Sequence, residues 1–391
     1  MPIALFALAV GAFGIGLTEF VIAGILPQIA RGFDVSIPSA GIMATSYALG
    51  VFIGAPLMTV VGSRVPRKTM LIALAVIFTL GNIITAMAPT LSVAVVGRVI
   101  TSFNHGAFFG IGSIIAASLV APGRQASAIA LMFSGLTLAN LLGVPAGTWL
   151  AQAFSWRMVF WGIAGIGLLT IASIALFVPD IKKGPGIALK AELRAFVDPQ
   201  VLLVMGITVF GPAAFFTSIT YIAPMMIEVA GLSPAGVAGL MVLFGLGLAV
   251  GNWLGGRFAD RSLFGTLFIT LAAQGGVLLV FWAGVENPLV AGVCVFLMAA
   301  FGFATVSPIQ KLVMDRASHA GAPTMAASVN IGMFNLGNAL GAWAGGATIA
   351  AGFGLVSPNW AGAILSFIAL GLALLAWQCA RKPYSLKAES C

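Results

Sequence analysis

The sequence predicts an all-α integral membrane protein, with twelve transmembrane helices in two six-helix bundles. Three observations lead there. Of 391 residues, 60% are hydrophobic and only 7% charged, with a mean hydropathy of +1.11; a soluble domain carries roughly 25% charged residues. Breaks at charges and X-Pro pairs leave about twelve apolar segments of the ~20 residues a spanning helix needs. The second half of the chain also repeats the first.

In order, the expected spans are 3–25, 38–60, 69–88, 91–120, 126–150, 157–179, 199–228, 234–257, 264–284, 288–311, 323–351 and 358–380. Asp198-Pro199, Ser233-Pro234, Asn287-Pro288 and Ser357-Pro358 each place a capping residue before a proline at the first helical position. With the N-terminus taken as cytoplasmic, fifteen of the eighteen Lys and Arg fall at cytoplasmic ends; Arg31, Arg98 and Arg157 do not. That bias puts both termini inside. It also makes the net charge of +8 topological, so no nucleic-acid partner is expected. No short apolar run closed by a cleavage site opens the chain, so no removable signal peptide is expected. Cys294, Cys379 and Cys391 show no pairing or metal spacing.

The expected domains are an N-terminal bundle over 1–180, a cytoplasmic linker over 181–198 and a C-terminal bundle over 199–391. Leu189, Leu193 and Phe196 suit either a short helix on the membrane surface or a plain charged linker. At an offset of 197, Pro27, Ser36, Gly50, Gly54 and Arg64 fall on Pro224, Ser233, Gly247, Gly251 and Arg261. At 198, LANLLG from Leu138 falls on LGNALG from Leu336. Six helices repeated in one orientation give two bundles about an axis along the membrane normal, as in many secondary transporters. Helices 2, 5, 8 and 11 all carry small residues at every fourth position: Gly50/Gly54, Gly135/Ala139/Gly143/Gly147, Gly247/Gly251/Gly255 and Gly337/Gly341/Gly345. Such spacing allows close backbone approach in lipid. Recurring on four equivalent helices, it predicts a sliding seam between the bundles rather than static packing.

The stretch from Gly97 to Gly110, GRVITSFNHGAFFG, sets Arg98, Ser102 and His105 along one face of an apolar helix. Ionisable groups at membrane depth are costly unless they face a partner or a wet cavity. Glu19, eight residues before Pro27, sits roughly 12 Å below the outer end of helix 1, and Arg98 roughly 10 Å below the same face. A pair at shared depth suits a proton-coupled cycle or a permanent ion pair. His105 relays protons, contacts substrate or simply packs. Pro145, between Gly143 and Gly147, frees a backbone carbonyl and lets helix 5 bend. Tyr47, Asn140, Tyr221, Asn330 and Asn335 are candidates to line a substrate cavity. A phosphate-binding loop, paired His ligands and a nucleophile–His–acid set are all missing from the sequence. An enzyme, a cofactor and an ATP-driven pump are therefore not expected.

TEFVIAGILPQIA (Thr18 to Ala30), GRVITSFNHGAFFG and LTLANLLGVPAGTW (Leu136 to Trp149), followed by Trp156-Arg157, resemble the major facilitator superfamily. More narrowly they resemble its twelve-helix drug:proton antiporter branch, in the arabinose-efflux-permease-like group. The resemblance spans the chain and implies alternating access, with efflux driven by the proton gradient. The family's loop GxxxDRxGR[KR] stands here as TVVGSRVPRK, with Thr59, Ser63 and Pro66 replacing Gly, Asp and Gly. Arg64, Arg67 and Lys68 remain, and the second copy keeps Gly256, Asp260 and Arg261. In helix 4, Arg98 keeps the arginine of RxxxG while Ser102 replaces its glycine. Gly143, Pro145 and Gly147 match the antiporter motif of helix 5.

The expected function is proton-coupled efflux of drugs or sugar-like metabolites by a monomer in a bacterial inner membrane. Its partners are the small solute, protons and lipid. A proton-coupled importer or facilitator is the alternative, and a channel or membrane enzyme a distant one. Glu19, Arg98 and His105 are the expected proton-coupling set. Asp260, the sole loop-motif carboxylate on the cytoplasmic face, is expected to latch that side through Arg261 or the start of helix 5 near Arg124 and Ser127.

Overall fold

The computed structural model describes residues 2–35, 37–62, 65–180, 198–319 and 323–381. The described residues are almost wholly helical. In chain order the long segments are α1 (Ile3–Phe33), α2 (Ile37–Gly62), α3 (Arg67–Met87), α4 (Leu91–Ser118), α5 (Pro122–Ala153), α6 (Trp156–Phe177), α7 (Pro199–Ile219), α8 (Pro234–Ala259), α9 (Leu263–Gly284), α10 (Pro288–Ser318), α11 (Pro323–Thr348) and α12 (Ser357–Arg381). Eleven of these contain stretches long and apolar enough to cross a membrane. The exception is α11, 26 residues long but interrupted by Asn330, Asn335 and Asn338. Amides lower its apolarity without shortening it, so it is a spanning helix by length alone.

Capping follows the sequence at three of the four proposed sites. Asp198 accepts from Gln200 N at 2.7 Å, Ser233 from Gly236 N at 3.2 Å and Asn287 from Leu289 N at 2.9 Å. Ser357 departs from the expectation. It is the first residue of α12, and its hydroxyl hydrogen-bonds Thr348 Oγ1 at 2.9 Å and the Gly354 carbonyl at 2.6 Å instead.

Three helices are less regular than their patterns suggest. A wide π turn, Ala139–Gly143, interrupts α5 just before Pro145. Proline has no N–H to give the preceding turn, so the local ladder reorganises there. The predicted span 199–228 breaks after Ile219. A short turn, Ile222–Pro224, and a second π turn, Met225–Val229, follow. Within α10 the helix falters at Ala304 and Thr305, then resumes from Val306 and continues beyond the expected end at 311. Lys311 and Asp315, one turn apart, pair at 2.7 Å and hold that polar end helical.

The described helices fall into two compact units. The first holds α1 to α6 with the short stretch Ala327–Gly332 of α11; the second holds the rest of α7 to α12. The proposed surface helix at Leu189, Leu193 and Phe196 lies outside the described residues. Cys294 is a buried free thiol, and Cys391 lies outside the described residues.

The glycine spacing is used within each unit, which corrects the seam expected from sequence. Gly135, Gly143 and Gly147 of α5 lie against Ala9, Phe13, Leu17 and Val21 of α1, and Gly50 and Gly54 of α2 against Ser102 and Phe103 of α4. In the second unit Gly247, Gly251 and Gly255 of α8 meet Phe296, Ala300 and Ala304 of α10. Gly337, Gly341 and Gly345 of α11 meet Val209, Ala213 and Thr217 of α7. Several of these approaches leave no room for a Cβ, because the neighbour is backbone. Close helix–helix packing inside a bundle uses the same spacing as a sliding interface, so the pattern alone does not separate them.

Candidate functional site

Among the described residues Arg98 is the largest fully buried side chain. The small residues around it, Gly97 and Thr101, let α4 lie close against α3, where Gly81 and Thr85 sit. A buried guanidinium must find acceptors, and it finds them on two other helices, α1 and α2. Nη1 donates to the Thr18 carbonyl at 2.8 Å and to Thr18 Oγ1 at 2.9 Å, while Nε donates to the Met43 carbonyl at 3.2 Å. The guanidinium plane lies 4.2 Å from the Tyr47 ring centroid, a cation–π contact.

From that centre a polar chain runs both ways. Thr18 Oγ1 donates to Asn82 Oδ1 at 2.9 Å, and Asn82 Nδ2 donates to the Phe78 carbonyl at 2.8 Å. On the other side the Tyr47 hydroxyl meets His105 Nδ1 at 3.0 Å, and the imidazole leans on Phe109 at 5.3 Å. Either the tyrosine donates to a bare Nδ1 or a protonated Nδ1 donates to the hydroxyl. Tyr47 and His105 are 2% and 3% exposed, so α1, α2, α3 and α4 share one dry network.

Glu19 is adjacent to this network and not part of it. Glu19 and Arg98 lie within electrostatic reach of each other. The direct ion pair is not there: among the described residues no hydrogen bond or salt bridge within 4.0 Å engages the half-buried carboxylate. Arg98 Nη2, meanwhile, has no hydrogen-bond partner. Thr18, one residue before Glu19, takes the place expected of the carboxylate, since its carbonyl and hydroxyl together offer the guanidinium two acceptors.

Sequence reasoning placed Tyr47 in a substrate cavity; the structure couples it to Arg98 and His105. It missed Thr18, Met43 and Asn82. Asn82 left a signal, as a lone amide inside the apolar run of α3. Met43 left none, because only its backbone carbonyl is used. Asn140 sits on the π turn of α5 and donates to the Leu136 carbonyl at 3.1 Å. Tyr221 marks the break after α7, and its hydroxyl donates to the Ala342 carbonyl at 2.8 Å. Asn330 is buried and Asn335 half-buried on α11.

Of the motif residues, Arg64 lies outside the described residues. Arg67 begins α3, and Lys68 reaches Asp180 at 3.8 Å, a loose pair whose carboxylate is 90% exposed. Pro145 follows the π turn, flanked by Gly143 and Gly147 on their α1 contacts. Gly256 is buried near the end of α8, Asp260 caps it and Arg261 is exposed.

The sequence profile of the Major Facilitator Superfamily matches residues 8–333. The chain belongs to that superfamily. This major facilitator protein is 48% identical over 378 residues to "Inner membrane transport protein YdhP" of Escherichia coli (strain K12), covering 97% of this chain and 96% of that one. "Putative transporter AraJ" of the same organism is 36% identical, with 94% and 93% covered. "Chloramphenicol resistance protein" of Streptomyces lividans is 32% identical, with 95% of each covered. Among solved structures, the proton:xylose symporter XylE superposes with a TM-score of 0.79 at 16% identity, over 96% of this chain and 95% of that one. The arrangement is that of a multi-pass transporter for small molecules, as the sequence motifs imply.

Proposed function

We propose that this facilitator exports small organic molecules across a bacterial inner membrane in exchange for protons, with Glu19 as the proton carrier. The observation that carries the reading is the buried, unpartnered Nη2 of Arg98 within electrostatic reach of a carboxylate that makes no hydrogen bond to it. An ionised Glu19 gains by closing onto Nη2; a protonated Glu19 releases it. Two positions of one carboxylate, selected by its proton, are what a coupled cycle requires. Arg98, Tyr47 and His105 then act as a fixed cationic platform. Asn140, Tyr221, Asn330 and Asn335 are proposed substrate contacts. Asp260 with Arg261, and Arg64 with Arg67 and Lys68, are proposed to control the cytoplasmic side. The relatives' names support the inner membrane and, through chloramphenicol resistance, export, and the protein is proposed to work as a monomer.

The test uses inverted membrane vesicles with an imposed acidic interior and a substrate panel that includes chloramphenicol. The intact protein should concentrate at least one compound. Glu19→Gln should abolish that accumulation while substrate exchange at equal pH persists. Accumulation by Glu19→Gln at the unmodified rate would remove the carboxylate from its role. Accumulation only under the opposite gradient would make the protein an importer.

A further inference from the structure

Two of the three basic residues that escape the cytoplasmic bias, Arg31 and Arg157, line one cavity. It measures about 530 Å³ and is bounded by Gln28, Arg31, Gly32, Phe154, Trp156 and Arg157, from the last turns of α1, the end of α5 and the start of α6. No carboxylate lines it. Arg157 is held in place: Nη2 donates to the Ala88 carbonyl at 2.8 Å, and the guanidinium lies over the rings of Trp156 (4.2 Å) and Phe33 (5.2 Å). Gly32 has no Cβ to hold off the Trp156 indole, so the arginine shelf sits close to α1. Gln28 Oε1, also in the lining, is buried and has no hydrogen-bond partner.

The location is a membrane surface. With 31 residues α1 is roughly 46 Å long at 1.5 Å per residue, longer than the ~30 Å hydrocarbon layer, so its last turns stand at headgroup level. Exposed aromatic side chains border the cavity: Trp149 and Phe154, 63% and 70% exposed, pack edge to face at 6.3 Å. Amphipathic rings such as the Trp149 indole gather where acyl chains meet headgroups. Further along α6, Leu168, Leu169 and Leu176 are exposed as well, which suits a face against lipid.

We infer that this cavity binds the phosphodiester headgroup of an outer-leaflet phospholipid. The phosphate lies between Arg31 and Arg157, whose planar donors suit its oxygens. A donor on the headgroup, the ammonium of phosphatidylethanolamine or the hydroxyls of phosphatidylglycerol, satisfies Gln28 Oε1. Phosphatidylcholine has no such N–H or O–H and binds less well. The site is separate from the Arg98 network and does not depend on the proposed export.

The purified full-length protein in detergent is titrated with dihexanoyl-phosphatidylethanolamine, dihexanoyl-phosphatidylcholine and inorganic phosphate, with thermal stability as the readout. The ethanolamine lipid should give a saturable upward shift at the lowest concentration. Arg31→Gln, which alters an exposed residue at a helix end, should weaken it about tenfold, the value of one charge-assisted contact. Gln28→Leu should remove the preference over the choline lipid, and Arg257→Gln, outside the cavity, should leave the shift unchanged. An unsaturable response, or equal affinity in Arg31→Gln, would overturn the site. Inorganic phosphate binding as tightly as the lipid would overturn the headgroup assignment in favour of a soluble anion.

Discussion

The two units solve one packing problem with opposite fillings. In both, glycines of the second helix meet the fourth: Gly54 faces Phe103 and Gly251 faces Ala300, each pair displaced by 197 residues. Carry that offset to the polar network, and Thr18, Tyr47, Arg98 and His105 become Phe215, Phe244, Val295 and Gly302. The second set also packs together. Phe215 lies 6.4 Å from both Phe244 and Phe303, and Gly302 sits against its ring. The first half thus buries a guanidinium with its acceptors where the second buries an aromatic cluster. Because a buried charge is costly without hydrogen-bond acceptors, the guanidinium comes with Thr18 and Met43 beside it, whereas Val295 at the matching position needs none. The helical frame is shared, and the ionisable chemistry belongs to one half.

Breaking the polar half should have the largest effect. Arg98→Val, which copies the second unit at one position only, leaves the Thr18 and Met43 acceptors without their donor. It should end gradient-driven transport and lower stability by about 2–4 kcal/mol. Adding Glu19→Gln should give a total loss somewhat short of additive, since the two side chains are not in contact but lie within electrostatic reach. Thermal melts of the single and double variants decide this, and strong recovery in the double would reveal a direct pair.

The shared frame is tested at its glycines. Gly251→Ala drives a methyl into the Ala300 backbone, which cannot move aside, and should cost about 1–3 kcal/mol. Gly54→Ala meets mainly the Phe103 ring, which can turn, and should cost less. Equal melting temperatures for the two variants would show that backbone against ring is not what separates the halves. Smaller again is Tyr47→Phe, which makes the first unit more like the second at Phe244. It keeps the ring over Arg98 and loses only the bond to His105, for about 1 kcal/mol. A loss as large as that of Arg98→Val would mean the hydroxyl does more than hold the imidazole. The smallest effect belongs to Asp180→Ala, removing an exposed partner at 3.8 Å from Lys68. A stability change above ~1 kcal/mol there would contradict the weak pair assigned to it.

Sequence alone determined the twelve-helix membrane architecture, its internal repeat and three helix caps. Those properties are local or cumulative: apolar length, residue spacing, and a capping side chain next to the N–H groups it serves. It also placed Glu19, Arg98 and His105 at membrane depth, because ionisable residues stand out in an apolar run. Tertiary structure decided who meets whom. Arg98 found the Thr18 and Met43 carbonyls rather than the Glu19 carboxylate, and every residue carries such a carbonyl, so no pattern could single these out. It also decided that the glycine stripes face helices of their own unit. Small-residue spacing marks where a backbone can come close; which backbone arrives there depends on the three-dimensional packing of helices far apart in the chain.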